Sequence, residues 1–384
     1  MRISKKVDRL APSGIRAFFD LVLGMKDVIS LGVGEPDFVT PWHVRQCAIH
    51  SLEQGFTSYT SNKGMIELRR EIAAFLKRRH GISYDPEEEI LITVGVSEAM
   101  DLGMRAVLNP GEKILIPDPC YVAYGPVVEL AGGTAVYLPT DLKSGFKITP
   151  RQVEAAISKG VKGILFNYPC NPTGASYTKK ELDALCKVFK KHDLIVFSDE
   201  IYDELTYDFE HTALPSFADM HERTVYLNGF SKAYAMTGFR IGYACGPRDI
   251  IAGMTKIHQY TMLCVPITGQ IAAVEALKSG VGDVGAMKKE YHRRRDFIVE
   301  ALNDLGLTCH VPQGAFYVFP SIKASGESSM DFAKNLLQQQ KVALVPGVAF
   351  GKACPDHVRI SYASSYDNLK EAAARIKIYL KGKK

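Results

Sequence analysis

The stretch NGFSKAYAMTGFRIGY, residues 228–243, sets one lysine, Lys232, just past a strand-like apolar run (Thr224–Leu227), with an arginine, Arg240, eight positions further on. A lysine that forms a Schiff base with an aldehyde cofactor needs a partly desolvated position that lowers its pKa. A phosphorylated cofactor needs a fixed guanidinium to hold its dianion. Both requirements are met within nine residues here. A Ser-Lys pair standing alone more often marks an exposed lysine beside a turn, so the reading depends on the chain around it.

From residue 90 onward, short β-branched apolar runs alternate with helical periodicity, which argues for βα units around a mostly parallel sheet. Strands are expected at Ile90–Val94, Lys113–Ile116, Ala135–Leu138, Gly163–Phe166, Leu194–Phe197, Thr224–Leu227 and Ile241–Cys245. Helices are expected between them, among others at Ser97–Leu108, Tyr121–Leu130 and Thr178–His192. In such sheets ligands sit at the carboxyl ends of the strands. Gly and Pro punctuation gathers there, in TVGVSEA (93–99), PDPCY (117–121) and NYPCNPTG (167–174). After residue 282 the texture changes to a long charged helix (Asp283–Asp304), two strands around Gly314–Phe319, a helix, VALVPG (342–347) and a final helix. The expected fold is α/β, with a large domain over 46–281 built on a mostly parallel seven-stranded sheet. A smaller α+β domain is expected from 1–45 together with 282–384.

The composition, 46% hydrophobic and 23% charged, is that of a globular enzyme and excludes disordered and fibrous classes. No apolar run approaches the roughly 20 residues that a bilayer span needs. The N-terminal MRISKKVDRLAPSG has no apolar stretch behind its charges, so no signal peptide is expected and a cytoplasmic location is. The net charge of +5 is spread over mixed-sign helical faces, which reads as solvated surface rather than nucleic-acid contact and suits anionic ligands. Eight cysteines with neither a CxxC pair nor zinc-site spacing read as free thiols, and no metal site is expected.

Six residues follow one another in contexts that belong together: Asn171 in NPTG, Asp199 in SDEIY, Tyr202 three residues later, Lys232, Arg240, and Arg359 in VRISYA. With Ser-Lys followed by Met-x-Gly-x-Arg-x-Gly-Tyr, the chain resembles the class I aminotransferases of fold type I over essentially its whole length. The resemblance implies pyridoxal 5'-phosphate (PLP) as cofactor, with Lys232 carrying it and moving a proton during turnover. Asp199 is implied to pair with the pyridine nitrogen and keep it protonated, so that the ring withdraws electrons. Asn171 and Tyr202 are implied to hydrogen-bond the phenolic oxygen, and Tyr121 to stack on the ring. For the phosphate, TVGVSEA carries a strand through a Gly turn into a helix, so the backbone N–H groups of Val96, Ser97 and Glu98 should face an anion. Arg240 should add a bidentate contact. Many relatives have a serine three residues before the lysine, where this chain has Gly229 and so one hydroxyl fewer.

Arg359 is implied to clamp the substrate α-carboxylate, a fork that lysine could not reproduce, with Asn171 beside it. Gly34 in GVGEPDF is expected to let the backbone approach the substrate closely. Tyr59 in TSYTSNKG is implied to reach the phosphate in a neighbouring subunit, which makes the expected assembly a homodimer with shared sites. The expected reaction moves an amino group from an L-amino acid to a 2-oxo acid, with 2-oxoglutarate as the acceptor. Aspartate-preferring relatives often carry a lysine where Ser97 stands or an arginine from the neighbouring subunit, and TMLCVPITGQ (261–270) holds no arginine. An aromatic or large neutral donor is therefore expected ahead of aspartate. A diaminopimelate-type donor stays open through SGIRAF (13–18) and DELTY (203–207), and Arg16 is a candidate distal cation. Rival readings are a PLP-dependent C–S lyase of the same fold and a non-catalytic PLP-sensing protein. Regulators of the second kind carry an N-terminal DNA-binding domain, for which the roughly 30 residues before GVGEPDF leave no room.

Overall fold

All seven expected apolar runs are strands of one sheet in the computed structural model, which describes residues 2–10 and 25–382. After a short β1 (Ile29–Ser30) come β2 (Ile90–Val94), β3 (Lys113–Asp118), β4 (Thr134–Pro139) and β5 (Val161–Asn167). They are followed by β6 (Ile195–Asp199), β7 (Thr224–Gly229) and β8 (Ile241–Cys245). The order is β2-β8-β7-β6-β5-β3-β4, and only β8 runs against its neighbours. Successive side chains of a strand point to opposite faces. Ile90 and Ile92 accordingly pack with Leu68, Ile72 and Ala272 on one face, and Leu91 with Leu102 and Met254 on the other. Both faces are covered by helices, so a ligand can enter only at the strand ends.

Three local expectations are corrected. The helix after β2 spans Gly95–Val107, two residues earlier than expected, because Gly95 takes φ +71° and turns the chain at once. The helix expected at Tyr121–Leu130 begins at Tyr124, which places Pro126 in the first turn, where its missing N–H costs nothing. Of two strands expected around Gly314–Phe319, one forms, β9 (Tyr317–Val318). Gly314 makes only an isolated bridge to Thr206, since Ala315 at φ +59° breaks the ladder.

The C-terminal part adds helices Val281–Asp304, Ser329–Gln340 and Tyr366–Lys381, with β10 (Val342–Ala343), β11 (Val345–Pro346) and β12 (Val358–Ser361). β12 lies between β11 and β9, antiparallel to both. β1 pairs in parallel with β10, and the Ser361 N–H donates to the Leu31 carbonyl at 2.7 Å. Leu31 then shares a core with Tyr291, Phe316, Val342 and Ile360. Among the described residues no helix is long and apolar enough to cross a membrane.

Candidate active site

β5, β6 and β7 end side by side, and the loops beyond them meet Gly32–Glu35 and β12 around a cavity of about 800 Å³. Lys232, Asp199, Asn171, Tyr202, Tyr121, Val96, Ser97, Arg240, Gly34 and Arg359 all line it.

Lys232 follows β7 in a tight turn, and its Nζ donates to the Gly34 carbonyl at 2.7 Å. Burial pushes its pKa from 10.5 down to about 8, opposed by the Glu35 carboxylate and helped by the guanidiniums of Arg359 and Arg240. Asp199 closes β6 fully inside, and burial pushes it up to about 6 while the Tyr124 hydroxyl and the Ile201 N–H hold it back. The Tyr124 hydroxyl donates to Asp199 Oδ2 at 2.6 Å. Asn167, at the end of β5, donates to the Asp199 carbonyl at 2.8 Å and accepts the Asn171 N–H at 3.0 Å. One side chain thus sets the spacing of two expected site residues.

Arg359 points inward from β12. Nη1 donates to Asn171 Oδ1 at 2.9 Å and Nη2 to the Gly32 carbonyl at 2.6 Å, while the guanidinium lies 4.6 Å from the Tyr317 ring and 4.8 Å from that of Phe350. Its Nε is buried with no protein partner, and no carboxylate among the described residues pairs with it. A buried guanidinium without a counter-ion is costly unless a ligand anion completes it. The Tyr202 and Tyr317 hydroxyls meet at 2.9 Å. A Cβ at Gly34 would lie 2.7 Å from the Tyr317 oxygen, so only glycine lets the backbone lie this close.

At the far end of the cavity, Val96 and Ser97 occupy the first turn of the Gly95–Val107 helix, whose leading N–H groups have no helical partner. Arg240 lies across that turn: a Cβ at Gly95 would stand 2.5 Å from its Nη2. Nη1 donates to the Thr237 carbonyl at 3.0 Å. N–H groups and a guanidinium converge there as an anion requires.

Glu98 departs from expectation. It does not line the cavity; its carboxylate turns back to accept the Val94 N–H at 2.5 Å and meets His258 Nδ1 at 2.7 Å, because the early helix start puts it a full turn from the opening. Tyr59 does not line the cavity either and is 83% exposed. Arg16 lies outside the described residues. Tyr124, Asn167 and Tyr317 are among the cavity residues that sequence reasoning missed. The aromatic and amide in PDPCYVAYGP and FNYPCNPTG were the available signal, but each reads equally well as core or turn. Phosphate donors at one end, a buried carboxylate in the middle and a lysine of lowered pKa beside an uncompensated arginine fit PLP together with a carboxylate substrate.

The chain matches the family model for aminotransferase class I and II over residues 26–376. It is 53% identical over 378 residues to YugH of Bacillus subtilis (strain 168), a protein named as an aminotransferase, with 98% of each chain covered. It is 44% identical over 387 residues to an aspartate aminotransferase of Pyrococcus abyssi (strain GE5 / Orsay), with 100% of each covered. It superposes on the solved aromatic aminotransferase from Pyrococcus horikoshii OT3 with a TM-score of 0.91 at 42% identity, over 96% of this chain and 99% of that one. With likeness of that degree along nearly its full length, the chain belongs to the class I and II aminotransferases, PLP-dependent transaminases of fold type I.

Proposed function

We propose that this transaminase takes its amino group from aromatic or large neutral L-amino acids and passes it to a 2-oxo acid, at sites shared between two subunits. The observation that carries the donor preference is how the cavity's cations are used. Among the described residues only Lys232, Arg240 and Arg359 bring a lysine or arginine to it, and each already has a task. Ser97 stands where a lysine would hold a distal carboxylate, while Met100, Val122, Ile201 and Tyr121 offer apolar wall.

Bound PLP supplies the aldehyde that takes up the amino group and the ring that accepts the electron pair released at Cα. Arg359, held by Asn171 and Gly32, grips the substrate α-carboxylate and so orients the Cα–H bond. The Lys232 amine, with its pKa near 8, would accept that proton as a general base and deliver it to the cofactor's former aldehyde carbon, the reverse transfer serving the second half of the reaction. Asp199 stays ionised above about pH 6 and holds a proton on the ring nitrogen. Tyr202 and Asn171 hydrogen-bond the phenolic oxygen, and Tyr121 stacks on the ring. The N–H groups of Val96 and Ser97 with Arg240 hold the phosphate, and Tyr59 reaches the phosphate of the partner subunit. The cavity lies between a large domain, 46–281, and a small domain, 1–45 with 282–384. The pairing of β1 with β10 supports that division.

The test is the ratio of kcat/KM for phenylalanine or tyrosine to that for aspartate, which should exceed one. Ser97→Lys should raise the relative value for aspartate about tenfold or more, since a closed-site ion pair contributes roughly 2–5 kcal/mol. A second reading, aspartate as donor, is favoured by the name of the Pyrococcus abyssi relative. Wild-type preference for aspartate, lost in Arg16→Ala, would establish that reading and end the first.

A further inference from the structure

The Gly95–Val107 helix has no side-chain cap at Val94, and the hydroxyl of Thr93 is spent donating to the Gly95 carbonyl at 3.0 Å. The cap comes from within: Glu98, four residues on, accepts the Val94 N–H through Oε2 at 2.5 Å. The other oxygen, Oε1, accepts from His258 Nδ1 at 2.7 Å. His258 sits on the Arg248–Thr261 helix packed against this one, is fully buried, and leaves Nε2 without a protein partner.

A buried ionisable pair is weak ground for stability, because apolar residues of like volume usually do as well. A carboxylate one turn from a phosphate site also repels the ligand. What the pair supplies is position. The helix start is confined on its other sides by Arg240, which lies against Gly95, and by β8, where a Cβ at Gly242 would fall 2.6 Å from the Val96 nitrogen. Glu98 and His258 close the remaining side, from beneath. A small rotation of this turn would swing the Val96 and Ser97 N–H groups off the anion, and misplacement of about 1 Å is costly for such donors.

We propose that Glu98 and His258 are positioning residues that fix the direction of the phosphate-binding N–H groups, so that their loss weakens retention of the cofactor through its phosphate alone. The inference rests on the reading of this helix start as the phosphate site. Neither residue lines the cavity, so neither acts on the substrate.

The test measures dissociation constants of the apoprotein for PLP and for pyridoxal, which lacks the phosphate, by absorbance titration. Glu98→Ala should weaken PLP about tenfold, the loss of one charge-assisted hydrogen bond, and leave pyridoxal unchanged. Glu98→Gln, which keeps an acceptor for Val94 and a polar contact for His258, should restore PLP binding to wild type or better. If Glu98→Ala does not fold, His258→Ala must show the same selective loss of PLP over pyridoxal. Unchanged PLP binding, an equal loss for PLP and pyridoxal, or failure of Glu98→Gln to restore binding overturns the proposal. A wild-type protein that holds pyridoxal as tightly as PLP instead removes the phosphate reading itself.

Discussion

Lys232 carries the residue-scale consequence of burial. Water is withdrawn from its ammonium, the neutral amine is favoured, and the pKa falls from 10.5 to about 8. Since the neutral form is the nucleophile, capture of an aldehyde should rise about tenfold per pH unit below 8 and level off above it. Apoprotein mixed with PLP, trapped with borohydride at short times and mapped by mass spectrometry, should carry the label on the Lys232 peptide with a midpoint near pH 8. A midpoint near 10.5 or label on another lysine would refute the assignment; Lys232→Ala should fold and stay unlabelled there. Lys232, Asp199 and Arg359 were legible in the sequence because their chemistry is local to their own motifs. Tyr124 was not, because its hydroxyl meets Asp199 across 75 positions of chain, and nothing near it in the sequence distinguishes it from a core tyrosine.

Between β7 and β8 two glycines face each other, Gly229 opposite Gly242. The missing serine at 229 has a packing reason that the sequence did not disclose: a Cβ there would lie 2.9 Å from the Gly242 Cα and 2.9 Å from the Ile241 carbonyl oxygen. Gly229→Ser should therefore not recover a phosphate ligand. It should push the two strands apart and lower unfolding stability by about 1–3 kcal/mol, the usual cost of overpacking. Chemical denaturation checks this, with Gly229→Ala expected to behave alike; tighter PLP binding at unchanged stability would show the strands yielding. The strands themselves were legible because alternate residues must satisfy two apolar faces at once, as Ile90, Leu91 and Ile92 do. Helix starts were less so. Gly95 and Ser97 are both plausible first residues, and the choice decides whether Glu98 offers its backbone or its carboxylate.

For the whole molecule, Tyr59 is 83% exposed and Tyr260 87%, and the Asn62 side chain donates to the Leu263 carbonyl at 2.7 Å, joining the loop that carries Tyr59 to the end of the helix that carries Tyr260. A shared site makes a specific prediction for mixed assemblies. In a heterodimer of one Lys232→Ala chain and one Tyr59→Ala chain, one site takes both lesions and the other takes neither. Re-associated mixtures should thus exceed the activity of either parent, with light scattering reporting a dimer. No gain on mixing, or an active monomer, would show that Tyr59 serves its own chain or none. The seven-stranded sheet was legible at this scale, whereas the closure of the cavity was not, because it depends on Arg359 donating to the carbonyl of Gly32, 327 positions earlier. That separation also has a consequence in time. A ribosome adding about 5–20 residues per second needs roughly 15–65 s between the two. Over the last part of that interval, the roughly 6–25 s between Lys232 and Arg359, the nascent chain can present Lys232 and the phosphate turn but no grip for a carboxylate. The growing polypeptide can thus become competent to capture its coenzyme before it can engage an amino acid, and a prematurely terminated product would sequester vitamin without turning over.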